Sequence, residues 1–145
     1  MLCFLVNSEK ERSWAQYSAR VEIAEERLVD GLAEKLRGSV REYATGEWSQ
    51  PVNLVSAAVQ SIALAPGTYG AQKWHLSWTQ GTSLKFARMN VSASPSVGTP
   101  EVVTTVSSVW YFDGPSVVGL GGQYNGTGIV WREWSDEALR LFSEV

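Results

Sequence analysis

Between Ser49 and Trp131 the chain carries five charged side chains in 83 positions: Lys73, Lys85, Arg88, Glu101 and Asp113. Residues 20–47 carry 12, and the last 14 residues carry six. No motif constrains the fold as tightly as this unevenness. A solitary soluble sheet normally keeps charge on its strands, where it blocks edge-to-edge pairing. A β region so poor in charge must be sheltered by the rest of the chain or by another molecule. Seven tryptophans in 145 residues press the same way, because each carries roughly 150–250 Å² of surface that favours a core or an interface.

The charge-poor region reads as β structure. In "KWHLSW", Trp74, Leu76 and Trp78 alternate with His75, Ser77 and Thr79, the period-2 pattern of a strand. Gln80-Gly81 gives a tight connection into "TSLKFARMNVSA". There the apolar positions change parity, from Leu84 and Phe86 to Ala87, Met89 and Val91, which predicts a bulge or bend near residue 86. "EVVTTVSSVWYF" is β-branched and aromatic and predicts a long strand. Asp113-Gly114-Pro115 predicts a turn. Asn125-Gly126 between apolar runs predicts a hairpin with a type I′ turn.

The flanks read differently. Leu28, Leu32 and Leu36 recur every four residues and Val29, Leu36 and Tyr43 every seven, which predicts an amphipathic helix over 16–37 with Gly38 closing it. The alternation of Ala15, Tyr17, Ala19, Val21 and Ile23 fits a strand equally well. Residues 1–8 predict a first strand, and 52–64 a helix or a strand. Ser135 as a cap, with Asp136 and Glu137 in the first turn, predicts a short helix over 136–143. The sum is one α+β domain over 1–145. Its N-terminal helix packs on a mostly antiparallel, curved sheet or sandwich of five to seven strands within 68–134, and a short helix ends it. A helix followed by a curved sheet is similar in outline to the cone-shaped NTF2-like architecture, an analogy that no motif carries.

Most chemistry lacks its parts. One cysteine, Cys3, allows no intrachain disulfide, and one histidine with one cysteine cannot make a typical zinc site. There is no Gly-Lys-Ser/Thr triplet and no Gly-x-Ser-x-Gly elbow. In "GLGGQYNG", Tyr124 stands where a dinucleotide loop needs glycine. Net charge is −3 with no basic tract, which argues against nucleic acid as a partner. No apolar run is long enough to span a bilayer. The sequence therefore predicts no metal, no cofactor and a cytoplasmic setting, within a larger particle if the chain assembles.

Two residues have acid/base potential, His75 and Asp113. His75 is the only histidine and the natural general base near neutrality. Its flanking tryptophans fit a core strand, which makes a satisfied structural histidine the simpler expectation. For partner or ligand contact the candidates are Trp14, Trp48, Tyr124, Trp131 and Trp134, since tryptophan and tyrosine are enriched where proteins bind. Three functions are compatible with this set. One is a non-enzymatic binding or assembly module that pairs with itself or a protein partner through a low-charge, Trp-containing surface. The second is a small-ligand pocket protein of NTF2-like outline, an isomerase, cyclase or hydrolase using His75 and Asp113. The third is a carbohydrate-binding module.

Overall fold

The computed structural model describes residues 17–29, 31–67, 72–105, 112–121, 126–133 and 138–144. Among them are eleven strands and no helix. In chain order these are β1 (Tyr17–Leu28), β2 (Gly31–Glu42), β3 (Val52–Val55), β4 (Val59–Ala65), β5 (Lys73–Gln80) and β6 (Ser83–Asn90). β7 (Ser96–Val97), β8 (Glu101–Thr105), β9 (Phe112–Gly121), β10 (Gly126–Glu133) and β11 (Ala138–Glu144) follow. They form three antiparallel sheets: β1-β2-β3, β11-β10-β9, and a five-stranded sheet β4-β5-β6-β7 in which β8 also pairs with β6.

The five-stranded sheet is the middle layer. Its alternation sends two sets of side chains in opposite directions. Leu76, Trp78, Ala87 and Met89 cluster with Leu36 and Val40 of β2, and Tyr17, Ala19, Val21 and Leu54 pack against them. Leu84 and Phe86 instead meet Ile129 and Trp131 of β10, with Val103 and Val117 alongside. On the β5 side the parity change in β6 is no bulge; an irregularity near the predicted place falls on its other edge, where the ladder with β8 shifts between Leu84 and Lys85. Pairing with β5 runs unbroken from Lys73↔Asn90 to Gln80↔Ser83, and both faces of β6 are simply apolar because both are covered. The connection between them is a two-residue turn in which Gly81 has φ +58°, a conformation that favours glycine.

This stacking accounts for the charge gap up to residue 105. Strands buried on both faces have no solvated side on which to place an ion. The shelter comes from the chain's own flanking sheets.

Both expected helices are strands. The 16–37 segment forms most of a hairpin, with Tyr17↔Glu42 through Leu28↔Gly31 in register. A spacing of four satisfies a strand as well as a helix, because every fourth residue of a strand shares a face. Tyr17, Ala19 and Val21 supply the strict alternation that decides for β. Gly38 is not a helix cap: it is buried in β2, where an added Cβ would lie 2.6 Å from Leu54 Cδ1 and 3.1 Å from Met89 Cε. Residues 52–64 contain β3 and β4 rather than a helix. The predicted C-terminal helix over 136–143 is replaced by β11, which pairs with β10 from Thr127↔Glu144 to Glu133↔Ala138. Eight residues make a marginal helix in isolation, whereas the edge of β10 offers a full ladder of backbone partners. Without the first helix the analogy to the NTF2-like cone falls away.

Smaller corrections follow the same physics. Gly114-Pro115 lies inside β9, with Gly114 at φ +100°, beside a register shift between Val130 and Arg132 of β10. The chain is kinked there rather than turned. β8 ends at Thr105, and 106–111 lie outside the described residues. So do the predicted first strand over 1–8 and the Gly122–Asn125 connection of the β9–β10 hairpin, whose strands do pair antiparallel.

Candidate functional site

His75 sits in the middle of the molecule. It is fully buried in β5, on the face turned toward β10, and its Nδ1 is hydrogen-bonded to the buried hydroxyl of Thr127. Ser77 and Thr79, on the same face, are buried too. Ser77 Oγ donates to Lys85 O at 2.8 Å. Thr79 Oγ1 accepts the Ser61 amide at 3.1 Å and lies 2.7 Å from Ser61 Oγ. Ser61 Oγ donates its single proton to Gly114 O at 2.7 Å, so Thr79 is the donor in the hydroxyl pair. The result is a polar seam between the middle layer and the β9–β10 layer, with each hydroxyl matched. Asp113 lies in β9 opposite Arg132 of β10.

The aromatic candidates separate. Trp48 follows β2 in a short loop, bridges Arg41 by backbone pairing, and is 39% exposed. The Arg20 guanidinium stacks 4.2 Å from the centre of its ring. A groove of about 240 Å³ beside it is lined by Tyr17, Glu42, Glu47 and Ser49 among others. Trp131 is buried in the cluster with Leu84, Phe86 and Ile129, so it contributes to the core and not to a contact surface. Trp14, Tyr124 and Trp134 lie outside the described residues. Trp78 is fully buried, with its Nε1 donating to Gln80 Oε1 at 3.2 Å. Trp74 is half-buried against the same core.

The most unusual surface is one that single-residue reasoning missed. Residues 114–131 contain no charged side chain, and the described ones among them, 114–121 and 126–131, form most of β9 and β10. Val118 and Leu120 are 53% and 54% exposed and Val130 is 40% exposed. Gly128, opposite Val118, has no side chain, and the two β9 residues lean over it. A Cβ there would lie 3.0 Å from Leu120 Cδ2 and 3.2 Å from Val118 Cγ1. On the other side Leu141 of β11 stands opposite Val130. The signal was available in the sequence: "SVVGLGG" and "TGIVW" have apolar residues at both parities, which implies apolar character on both faces.

Among the described residues no group of three or more His, Cys, Asp or Glu could hold a metal ion, and no helix is long and apolar enough to cross a membrane. No family model, no curated protein and no solved structure matches this chain.

Proposed function

We propose that this chain is a non-enzymatic binding module that associates through the outer face of β9 and β10, with a second copy of itself as the first expected partner. One observation carries the reading. Val118, Leu120 and Val130 stand in water on a stretch of 18 residues, 114–131, without one charge, where a solitary sheet would place Lys or Glu. A contiguous apolar face of this kind marks an interaction site. A face without charge is also self-complementary, because two copies meet with no like-charge opposition.

The pocket reading draws less support. A general base has to reach its substrate's proton, and His75 is sealed between two layers with Thr127 as partner. The sugar reading keeps one specific observation in its favour. Trp48 with Glu42 and Glu47 beside a groove combines an aromatic face with carboxylate acceptors, as hydroxyl-rich ligands require.

Sedimentation velocity over a micromolar concentration series tests the main reading. The wild type is expected to associate, and the Val118→Lys/Leu120→Lys double variant to remain monomeric with unchanged circular dichroism and melting temperature. A wild type that stays monomeric throughout the series, or a double variant that associates as before, overturns it. A glycan array probed with wild type and Trp48→Ala tests the sugar alternative, which fails if the wild type binds nothing.

A further inference from the structure

On the opposite side of the molecule, at the outer face of β1-β2-β3, lies a second feature unrelated to the apolar face. The ladder between β2 and β3 breaks between Leu36 and Arg37, and β3 pairs no further along β2 than Leu36↔Val55. A break of this kind opens space and re-aims side chains. Here it leaves a cavity of about 300 Å³ lined by Ala24, Glu25, Lys35, Arg37 and Asn53. Cross-strand pairing brings these together: Ala24 lies opposite Lys35, and Arg37 opposite Asn53.

Arg37 is the informative residue. It is half-buried, yet among the described residues the only hydrogen bond of its side chain is from Nη2 to Pro51 O, at a long 3.4 Å. Its Nε is buried with no acceptor. A guanidinium has five N–H donors in a fixed fork, and taking it partly out of water without an anionic partner is costly. Buried unsatisfied polar groups are rare enough that each calls for an explanation. Nε is buried, which leaves the end of the fork, Nη1 and Nη2, as the donors for a ligand in the cavity that Arg37 lines. Three N–H groups remain there after Pro51 is served. Planar, two-point donation of this kind matches a carboxylate or a phosphate.

We propose that this cavity binds a small molecule bearing an oxyanion, phosphate or carboxylate, held by Arg37 with Lys35 adding charge and Asn53 adding an amide. Glu25, also on the lining, accepts from a hydroxyl or ammonium elsewhere on the ligand. The volume lies at the lower end of the range for small-molecule sites, which limits the ligand to a compact metabolite rather than a nucleotide or a peptide.

The test is an NMR titration of the full chain with two probes, glycerol 3-phosphate and malate, which separate phosphate from carboxylate as the source of the oxyanion. Saturable shifts of the backbone amides near Lys35, Arg37 and Asn53 are expected with at least one probe. Arg37→Gln should raise the dissociation constant roughly tenfold or more, the size expected when a charged hydrogen bond is lost. Arg20→Gln removes the same charge from the same sheet outside the cavity and should leave binding unchanged. If Arg37→Gln fails to fold, Lys35→Gln should weaken binding in the same direction. No saturable shift with either probe, or equal weakening by the Arg20 and Arg37 variants, overturns the proposal.

Discussion

The two flanking sheets cover opposite faces of one middle layer, and their outer faces differ in charge. The β1-β2-β3 sheet is apolar inside, through Leu36, Val40, Val21 and Leu54. Arg20, Glu22, Lys35 and Arg37 alternate with those inward positions and fall on its outer side. That is the expected arrangement for a sheet with one face in water. The β9–β10 sheet is also apolar inside, through Ile129, Trp131 and Val117, with a polar stretch at Thr127 and the Ser61–Gly114 link, but it exposes Val118, Leu120 and Val130 outside. The first sheet turns its charges to water, and the second, on the function proposed above, turns its uncharged face to a neighbour.

The largest expected effect is on the apolar seam. Trp78 is fully buried there with its indole N–H satisfied. Trp78→Ala should cost about 3–5 kcal/mol, from lost transfer energy plus the cavity left behind. Urea denaturation with a linear extrapolation checks this. Trp78→Phe, which keeps most of the volume but strands Gln80, should cost clearly less. A Trp78→Ala loss under about 1 kcal/mol would show that the seam is not the main source of stability.

The polar seam should respond with a smaller and differently structured loss. His75→Ala removes a buried ring and leaves the Thr127 hydroxyl without that partner, for about 2–4 kcal/mol. Thr127→Val keeps the shape and strands the histidine nitrogen, for about 1–3 kcal/mol. Because the two residues touch, the double variant should fall short of the sum by about 0.5–3 kcal/mol. Strict additivity in chemical denaturation would mean the hydrogen bond joins the layers without stabilising them. If His75→Ala also left self-association intact in the folded fraction, the residue's role would be confined to holding the sheets together.

How much of this was legible in the sequence follows from what each segment packs against. The β5–β6 hairpin was plain because its alternation and its Gly81 turn are local. The prediction that a charge-poor sheet needs shelter holds for the middle layer, whose cover comes from the chain's own sheets, and not for the outer face of β9 and β10, which lies open. Nothing in a sequence distinguishes a chain that covers its own strands from one that waits for a partner. Leu28, Leu32 and Leu36 misled because their spacing serves both periods, and Gly38 because a glycine required by Leu54 and Met89 looks the same as one that ends a helix. β11 was lost for a different reason: its strand state depends on the open edge of β10, a tertiary fact. The aromatic candidates were chosen by residue type, which cannot separate Trp131 in the core from Trp48 at the surface. The apolar outer face required reading Val118, Leu120 and Val130 together, across two strands.

The smallest effect concerns Trp48, and it sharpens the contrast between the two outer faces. On the water-facing sheet an exposed aromatic is already partly occupied, since Arg20 stacks on it at 4.2 Å. A surface cation–π contact is worth about 0.5–1 kcal/mol, so Trp48→Ala should reduce stability by about that much. Arg20→Ala should reproduce most of the loss, and the double variant should add little to either single change. Thermal unfolding of the four proteins in the same buffer is enough to check it. If Trp48→Ala instead abolished self-association while leaving stability unchanged, the proposed association surface would have to be moved from β9 and β10 to the loop after β2. The uncharged outer face of β9 and β10 would then need a different cause.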